Sequence, residues 1–354
     1  MRNKTRCHAF APMLLLIGCI FMITANTALA AESAQANMDY EAGFYYTVKK
    51  GDTLWDLSQH FSDSPWQWPD LWRENTQLTN PHWIYPGERI RLFRKTGLHQ
   101  GEATKQVPTI APQVEASQPV EKQTPQVDFI FPSIDRIGFI RTPPVVPEGI
   151  IFKSMDNKKL ISSDDIVYIR PETEDEDAQS DFIPGSRYTV YRNLDPLSEK
   201  LSTVSGDQHF FSGIIEITKN NTEYAMAKVI EQFGAILVND KLMPYEPRQP
   251  IIPVIDSTPG IQGKIIAAEN HSSIMGDLAI AFIDKGRQDN IQIGQVYNIY
   301  YQETATQNTG GKSITLDPVD IGTVFVLHVE NETSTVVLTS SSRKISPGQP
   351  IRTP

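Results

Sequence analysis

The chain reads as a small α+β module of β-α-α-β order, a proline-rich connector, and then a duplicated all-β region. Three observations predict this. Residues 45–94 carry a strand–helix–helix–strand pattern and all five Trp of the protein: Trp55, Trp66, Trp68, Trp72 and Trp83. Residues 95–128 shift to Gln, Pro, Ala, Thr, Val and Glu without apolar periodicity, a composition too polar to bury a core. From residue 129 to the end, short alternating runs separated by Gly, Asn, Asp and Pro turns recur in the same order in two successive stretches.

Within the first module, Tyr46 to Lys49 alternates β-branched and aromatic residues as a strand does. Gly51 and Asp52 stop it. Thr53 to Asp56 forms a capping box that opens a helix, with Leu54, Leu57 and Phe61 as its buried stripe. Pro65 interrupts that helix, and a second one is predicted from about Pro69, where a missing N–H costs nothing. Trp68, Leu71, Trp72, Asn75 and Leu78 keep helical spacing, and Asp70 suits the positive end of the helix dipole. Trp55 and Trp72 fall on the apolar helix faces and are expected in the core; Trp66, Trp68 and Trp83 lie near loops, where core and surface positions are both open. Tyr85 to Glu88 fits a type II turn with Pro86 and Gly87 at its centre, and Arg89 to Leu92 returns as a strand.

The runs Lys49-Lys-Gly-Asp-Thr-Leu-Trp55 and Ile84-Tyr-Pro-Gly-Glu-Arg-Ile90 resemble the opening and closing signatures of the LysM family, small modules that bind N-acetylglucosamine polymers such as peptidoglycan. The resemblance implies a shallow glycan-binding groove in which Gly51, Asp52, Thr53 and Leu54 face Asn80, Ile84, Tyr85, Pro86 and Gly87. The chain departs from the family at Ser62 to Trp68, a helix connection longer and more aromatic than usual.

Residues 1–30 have the form of a signal peptide: Arg2, Lys4 and Arg6, an apolar run from Met13 to Ile23 too short to span a bilayer, and a small-residue cleavage site at Ala28-Leu-Ala30. The expected location is the periplasm. A competing reading takes Leu16-Ile-Gly-Cys19 as a lipobox, which would anchor Cys19 in the outer membrane. Both Cys of the chain, Cys7 and Cys19, lie in this leader, so after cleavage at Ala30 the mature protein is expected to have no disulfide and no thiol nucleophile. The formal charge is −10 before the three basic leader residues are lost, which disfavours nucleic acid or anionic lipid as a partner.

The connector at residues 95–128, stiffened by Pro108, Pro112, Pro119 and Pro125, would span roughly 30 Å as a coil and roughly 100 Å when fully extended. Beyond it, a first β-unit is expected at residues 129–247 and a second at 255–354. The matched runs begin at Gly149 and Gly263, Asp164 and Asp277, Pro184 and Ile293, Gly213 and Gly322, and Tyr224 and Thr335. The second unit, from Asp277 through Gly286, Gly294 and Gly322 to Pro347-Gly348, is similar to the C-terminal domain of the flagellar T-ring protein FlgT. The whole arrangement resembles the secretin-associated LysM proteins of type IV pili. That resemblance implies a non-catalytic protein whose partners are peptidoglycan and an outer-membrane secretin or other envelope ring. A flagellar-ring role is the neighbouring alternative.

A wall hydrolase or transglycosylase accessory is the other alternative. Its thiol-dependent forms need a cysteine, and its zinc forms need clustered ligands. His60, His82, His99, His209, His271 and His328 stand singly and read as surface or packing residues, so no metal or other cofactor is expected. Carboxylate-based glycosidases need only two acids, but no helical framework for the usual transglycosylase is evident. Gly310-Gly-Lys-Ser313 has Thr306 where a P-loop needs its first Gly and is read as a loop. The acidic residues Glu172, Glu174, Asp175, Glu176 and Asp177 read as a solvated loop, with a calcium site or a dock for a basic partner as alternatives.

Overall fold

The computed structural model describes residues 40–92, 126–172, 182–194, 206–306 and 313–354. The leader, nearly all of the connector and the acidic run beyond Glu172 lie outside these residues. The N-terminal module is built from β1 (Gly43–Thr47), α1 (Leu54–Ser62), a short 3-10 turn at Pro65–Gln67, α2 (Trp68–Glu74) and β2 (Arg89–Arg91). Strand β1 begins at Gly43, three residues before the alternation that announces it. Thr53 caps α1 as expected: its hydroxyl accepts the Asp56 N–H at 3.1 Å and donates to the Asp56 carboxylate at 2.7 Å. Leu54 and Leu57 are buried, while Phe61 is only partly buried against the same core. Asp63 closes the helix in the left-handed region at φ 52°, and Pro65 starts the next turn.

Phe44, Tyr45 and Tyr46 are all buried because β1 is a central strand. It pairs antiparallel with β2 on one edge and with β3 (Val127–Ile130) on the other. Strand β3 starts inside the span read as connector. After it come β4 (Phe139–Arg141) and six strands: β5 (Gly149–Ser154), β6 (Ile166–Arg170), β7 (Arg187–Leu194), β8 (Asp207–Asn220), β9 (Ala225–Gln232) and β10 (Lys241–Pro244). These six close on themselves in the order β5-β6-β9-β8-β7-β10, with β4 added at the edge of β8. Next, β11 (Ile251–Pro253) returns to pair with β3, giving a sheet in the order β11-β3-β1-β2.

The remainder is β12 (Gln262–Ala268), β13 (Ile280–Ile283), β14 (Val296–Tyr301), a hairpin of β15 (Thr304–Thr306) and β16 (Ser313–Thr315), then β17 (Val319–Val329), β18 (Ser334–Ser341) and β19 (Pro350–Arg352). Leaving the hairpin aside, they form a closed barrel in the order β12-β13-β18-β17-β14-β19. Thr306 pairs with Ser313 across the hairpin, so Ser313 opens a strand; Gly310, Gly311 and Lys312 of the run read as a loop lie outside the described residues.

The first barrel is filled by Ile151, Val190, Ile215, Val229, Leu242 and their neighbours. Alternate residues of β17 serve two cores. Val324 and Val326 point into the second barrel, whereas Phe325 and Leu327 point outward into the core of the N-terminal module. There the ring of Phe129 lies 4.9 Å from Phe44 and 4.4 Å from Phe325. The sequence sets the N-terminal module apart from the β-region by a connector; in the structure the two share a sheet and a hydrophobic core.

Candidate functional site

Two turns meet at one end of β1. Lys49 to Asp52 closes with the Asp52 N–H on the Lys49 carbonyl at 3.2 Å, and Gly51 takes φ 97°. Tyr85 to Glu88 closes with Glu88 N–H on the Tyr85 carbonyl at 3.0 Å, and Gly87 takes φ 94°. Both are type II turns whose third residue needs positive φ, which glycine adopts without a Cβ penalty. Val48 holds them side by side, donating to the Glu88 carbonyl at 2.8 Å and accepting from Gly87 N–H at 2.9 Å. Neither glycine has a heavy atom within 4 Å of where a Cβ would stand, so the backbone there is open to a ligand.

The other expected residues divide by role. Asp52 works within the protein: its carboxylate accepts the Tyr46 hydroxyl and the Lys49 N–H, both at 2.7 Å. Burial and this carboxylate push the Tyr46 phenol well above its ordinary range, so it stays protonated. Asn80 forms an Asx turn, accepting His82 N–H at 3.0 Å. Ile84 packs partly against the module core. Thr53, Tyr85, Pro86 and Gly87 are exposed. Leu54 corrects the expected groove: its side chain is 2% exposed and belongs to the core, leaving only its backbone for a ligand.

The tryptophans also differ from expectation. Trp55 and Trp72, expected inside, are 41% and 36% exposed. Trp55 sits one residue past Leu54, about 100° around the helix from the buried stripe. Trp72 lies at the surface with its indole N–H on the Leu78 carbonyl at 2.8 Å, which satisfies the polar end while one face meets water. Trp66 and Trp83 are more open still, at 75% and 67%. Trp55 and Trp72 are thus surface indoles that the sequence reading placed in the core, while Trp66 and Trp83, left open between core and surface, are surface residues.

Behind the turns, Asn75 is fully buried and ties α2 to β2. Its amide donates to the Leu71 carbonyl at 2.7 Å and to the Arg91 carbonyl at 2.9 Å, and its oxygen accepts Arg91 N–H at 2.7 Å. Elsewhere, a cleft of about 590 Å³ between the barrels is lined by Phe139, Phe211, Met243, Arg248 and His328. Its arginine is engaged with the protein, donating to the Ile137 carbonyl at 2.8 Å and lying 5.4 Å over the Phe211 ring. Among the described residues no three His, Cys, Asp or Glu side chains come together as a metal site.

What the two turns offer is hydrogen-bonding backbone open to a ligand. Comparison with known proteins agrees with that chemistry. Residues 46–93 match the family described as LysM domain. An uncharacterized protein of Bacillus subtilis (strain 168), YqbP, is 39% identical over 57 residues, a match covering 13% of this chain and 26% of that protein. LysM is a binding module, not a catalytic one, and its ligands are N-acetylglucosamine-type glycans such as peptidoglycan or chitin. Residues 46–93 of this chain are a LysM domain.

Proposed function

We propose that this is an exported, non-catalytic protein of the periplasm that binds peptidoglycan and tethers an outer-membrane assembly to the wall. The resemblance to the secretin-associated LysM protein TsaP makes a type IV pilus secretin the first partner to test. The observation carrying this reading is the placement of the LysM turns. They are open to solvent at one end of β1, while Phe44 on the same strand is built into the face of the second barrel. Wall binding and the β-barrels are thus joined in one body, as an anchor requires.

The functional units are the module at residues 45–94 and the β-units at 129–247 and 255–354. We further infer that the two β-units are copies of one another. Supporting this, β5 to β10 and the strands β12, β13, β14, β17, β18 and β19 follow the same cyclic order. Left-handed residues stand two positions before corresponding strands: Asp164 and Leu278, Gly185 and Gly294, Asn239 and Gly348. The bridge Ile161 to Ile236 has its counterpart in Met275 to Ile345.

The test is a sacculus pull-down with the mature chain, followed by crosslinking in cells and identification of what the β-units capture. Retention on sacculi without release of soluble fragments, and capture of a secretin, is the expected result. Released muropeptides would favour the hydrolase reading; capture of flagellar-ring components would redirect the anchor to that machine.

A further inference from the structure

We infer that the Trp55–Trp66 pair is an accessory sugar-stacking platform beside the LysM turns, selecting longer N-acetylglucosamine chains than the turns alone would hold. This rests on the glycan-binding reading and adds a second contact to it.

The pair is built by the part of the chain that departs from its family. Ser62 to Trp68 is not a loose loop. Asp63 reverses the chain in the left-handed region at φ 52°, Pro65 opens a 3-10 turn at Pro65–Gln67, and α2 follows at once. The product of this turn is Trp66, carried to within 4.8 Å of Trp55 with the two rings nearly perpendicular at 77°. None of the side chains in that 3-10 turn is buried, so it adds nothing to the core. Two indole rings in mutual contact, one of them 75% exposed, are a costly surface for a secreted module unless they meet a ligand.

Position identifies that ligand. Trp55 directly follows Thr53 and Leu54, the end of the first turn segment, so the platform is continuous with the edge of the site. Trp68, partly buried against the module core, has its ring 6.0 Å from that of His82 in the Asn80–Trp83 turn. Trp83 and Tyr85 then project from alternate positions around Ile84, both well exposed. A pyranose ring has an apolar C–H face that covers an aromatic ring, while its hydroxyl and acetamido edges remain free for water or backbone. A glycan running past the turns would lay one further sugar on the open face of Trp66, the more exposed ring of the pair.

The experiment titrates the full mature chain with the N-acetylglucosamine disaccharide and hexasaccharide, read by calorimetry and by Trp fluorescence. The wild type should bind the hexasaccharide more tightly. Trp66→Ala should weaken hexasaccharide binding about tenfold, the scale of a central aromatic contact, and leave the disaccharide within about twofold. Trp66→Phe should recover most of the loss, since it keeps an aromatic face. Equal weakening toward both ligands, or no change toward either, overturns the platform while the glycan reading stands; no change is also what a protein-docking patch would give. A wild type that binds neither ligand overturns the glycan reading and the platform with it.

Discussion

At the residue scale, the fold depends on a few side chains that serve partners far apart in sequence. Asn75 satisfies three backbone groups across α2 and β2 from a fully buried position. Removing its amide leaves those groups without partners in a dry site, at about 1–3 kcal/mol for such a loss. Asn75→Ala should therefore lower the urea midpoint of the Trp-fluorescence transition, which reports on the LysM module because every Trp lies there. An unchanged midpoint would mean that water replaces the clamp without cost. Gly213 on β8 and Gly322 on β17 hold equivalent places in the two barrels: a Cβ on either would run into a facing carbonyl, that of Glu231 or Ser340. Alanine at either position should cost about 1–3 kcal/mol by overpacking. Parallel thermal melts of the two variants check this, and a silent substitution would show that the strand there yields easily. The asparagine's role was half legible. Helical spacing placed Asn75 at the end of α2, but its bond to β2 depends on a long-range contact that spacing does not reveal.

At the scale of elements, the turns were the most readable part, because turn chemistry is local. Pro86 and Gly87, Gly51, and Thr53 with Asp56 all do what their types require. The strands were legible in part. The alternation read from Tyr46 to Lys49 holds, with Tyr46 and Val48 buried and Lys49 exposed, while Phe44 and Tyr45 ahead of it are buried as well. Three consecutive aromatics were the available sign that β1 had a second neighbour. Phe44→Ala should cost about 3–5 kcal/mol, because its ring meets both Phe129 and Phe325; chemical denaturation of the whole chain measures it, and a loss under about 1 kcal/mol would mean the shared core is slack. Strand β4 makes another junction. The Phe139 ring stacks between His209, at 4.8 Å, and His328, at 5.3 Å. Burial lowers the pKa of both imidazoles, and the Val145 N–H donates to His209 Nε2 at 3.0 Å, which requires that nitrogen to be unprotonated. A histidine with a lowered native pKa binds its proton more readily when unfolded, so stability is full above the unfolded value of about 6.5 and declines as pH falls below it. Denaturation midpoints should drop from neutral pH toward pH ~5, and His209→Gln should flatten that slope. A slope identical in the variant would assign the acid sensitivity elsewhere.

At the scale of the whole molecule, the sequence resolved the parts and missed how they are joined. Composition marks residues 95–128 as a connector, and composition is blind to strand pairing at its far end, where Val127 to Ile130 enters the sheet beside β1. Deleting the LysM domain should consequently uncover Phe129 and Phe131, on and just after β3, and Phe325, Leu327 and Val337 on the second barrel. A chain beginning at Gln126 is expected to bind apolar dyes and to melt below the full-length protein; equal melting temperatures without dye binding would show that the shared core adds little. The β1–β3 pairing has one more consequence. Two sites on a slack tether engage over a wide range of separations at modest effective concentration, whereas two sites on one stiff body engage strongly at a single separation and hardly at all at others. On the anchoring function proposed above, turns fixed to the barrels by hydrogen-bonded strands would make the protein a gauge: it would measure the gap between a wall strand and whatever the barrels grip, and hold only what lies at that distance.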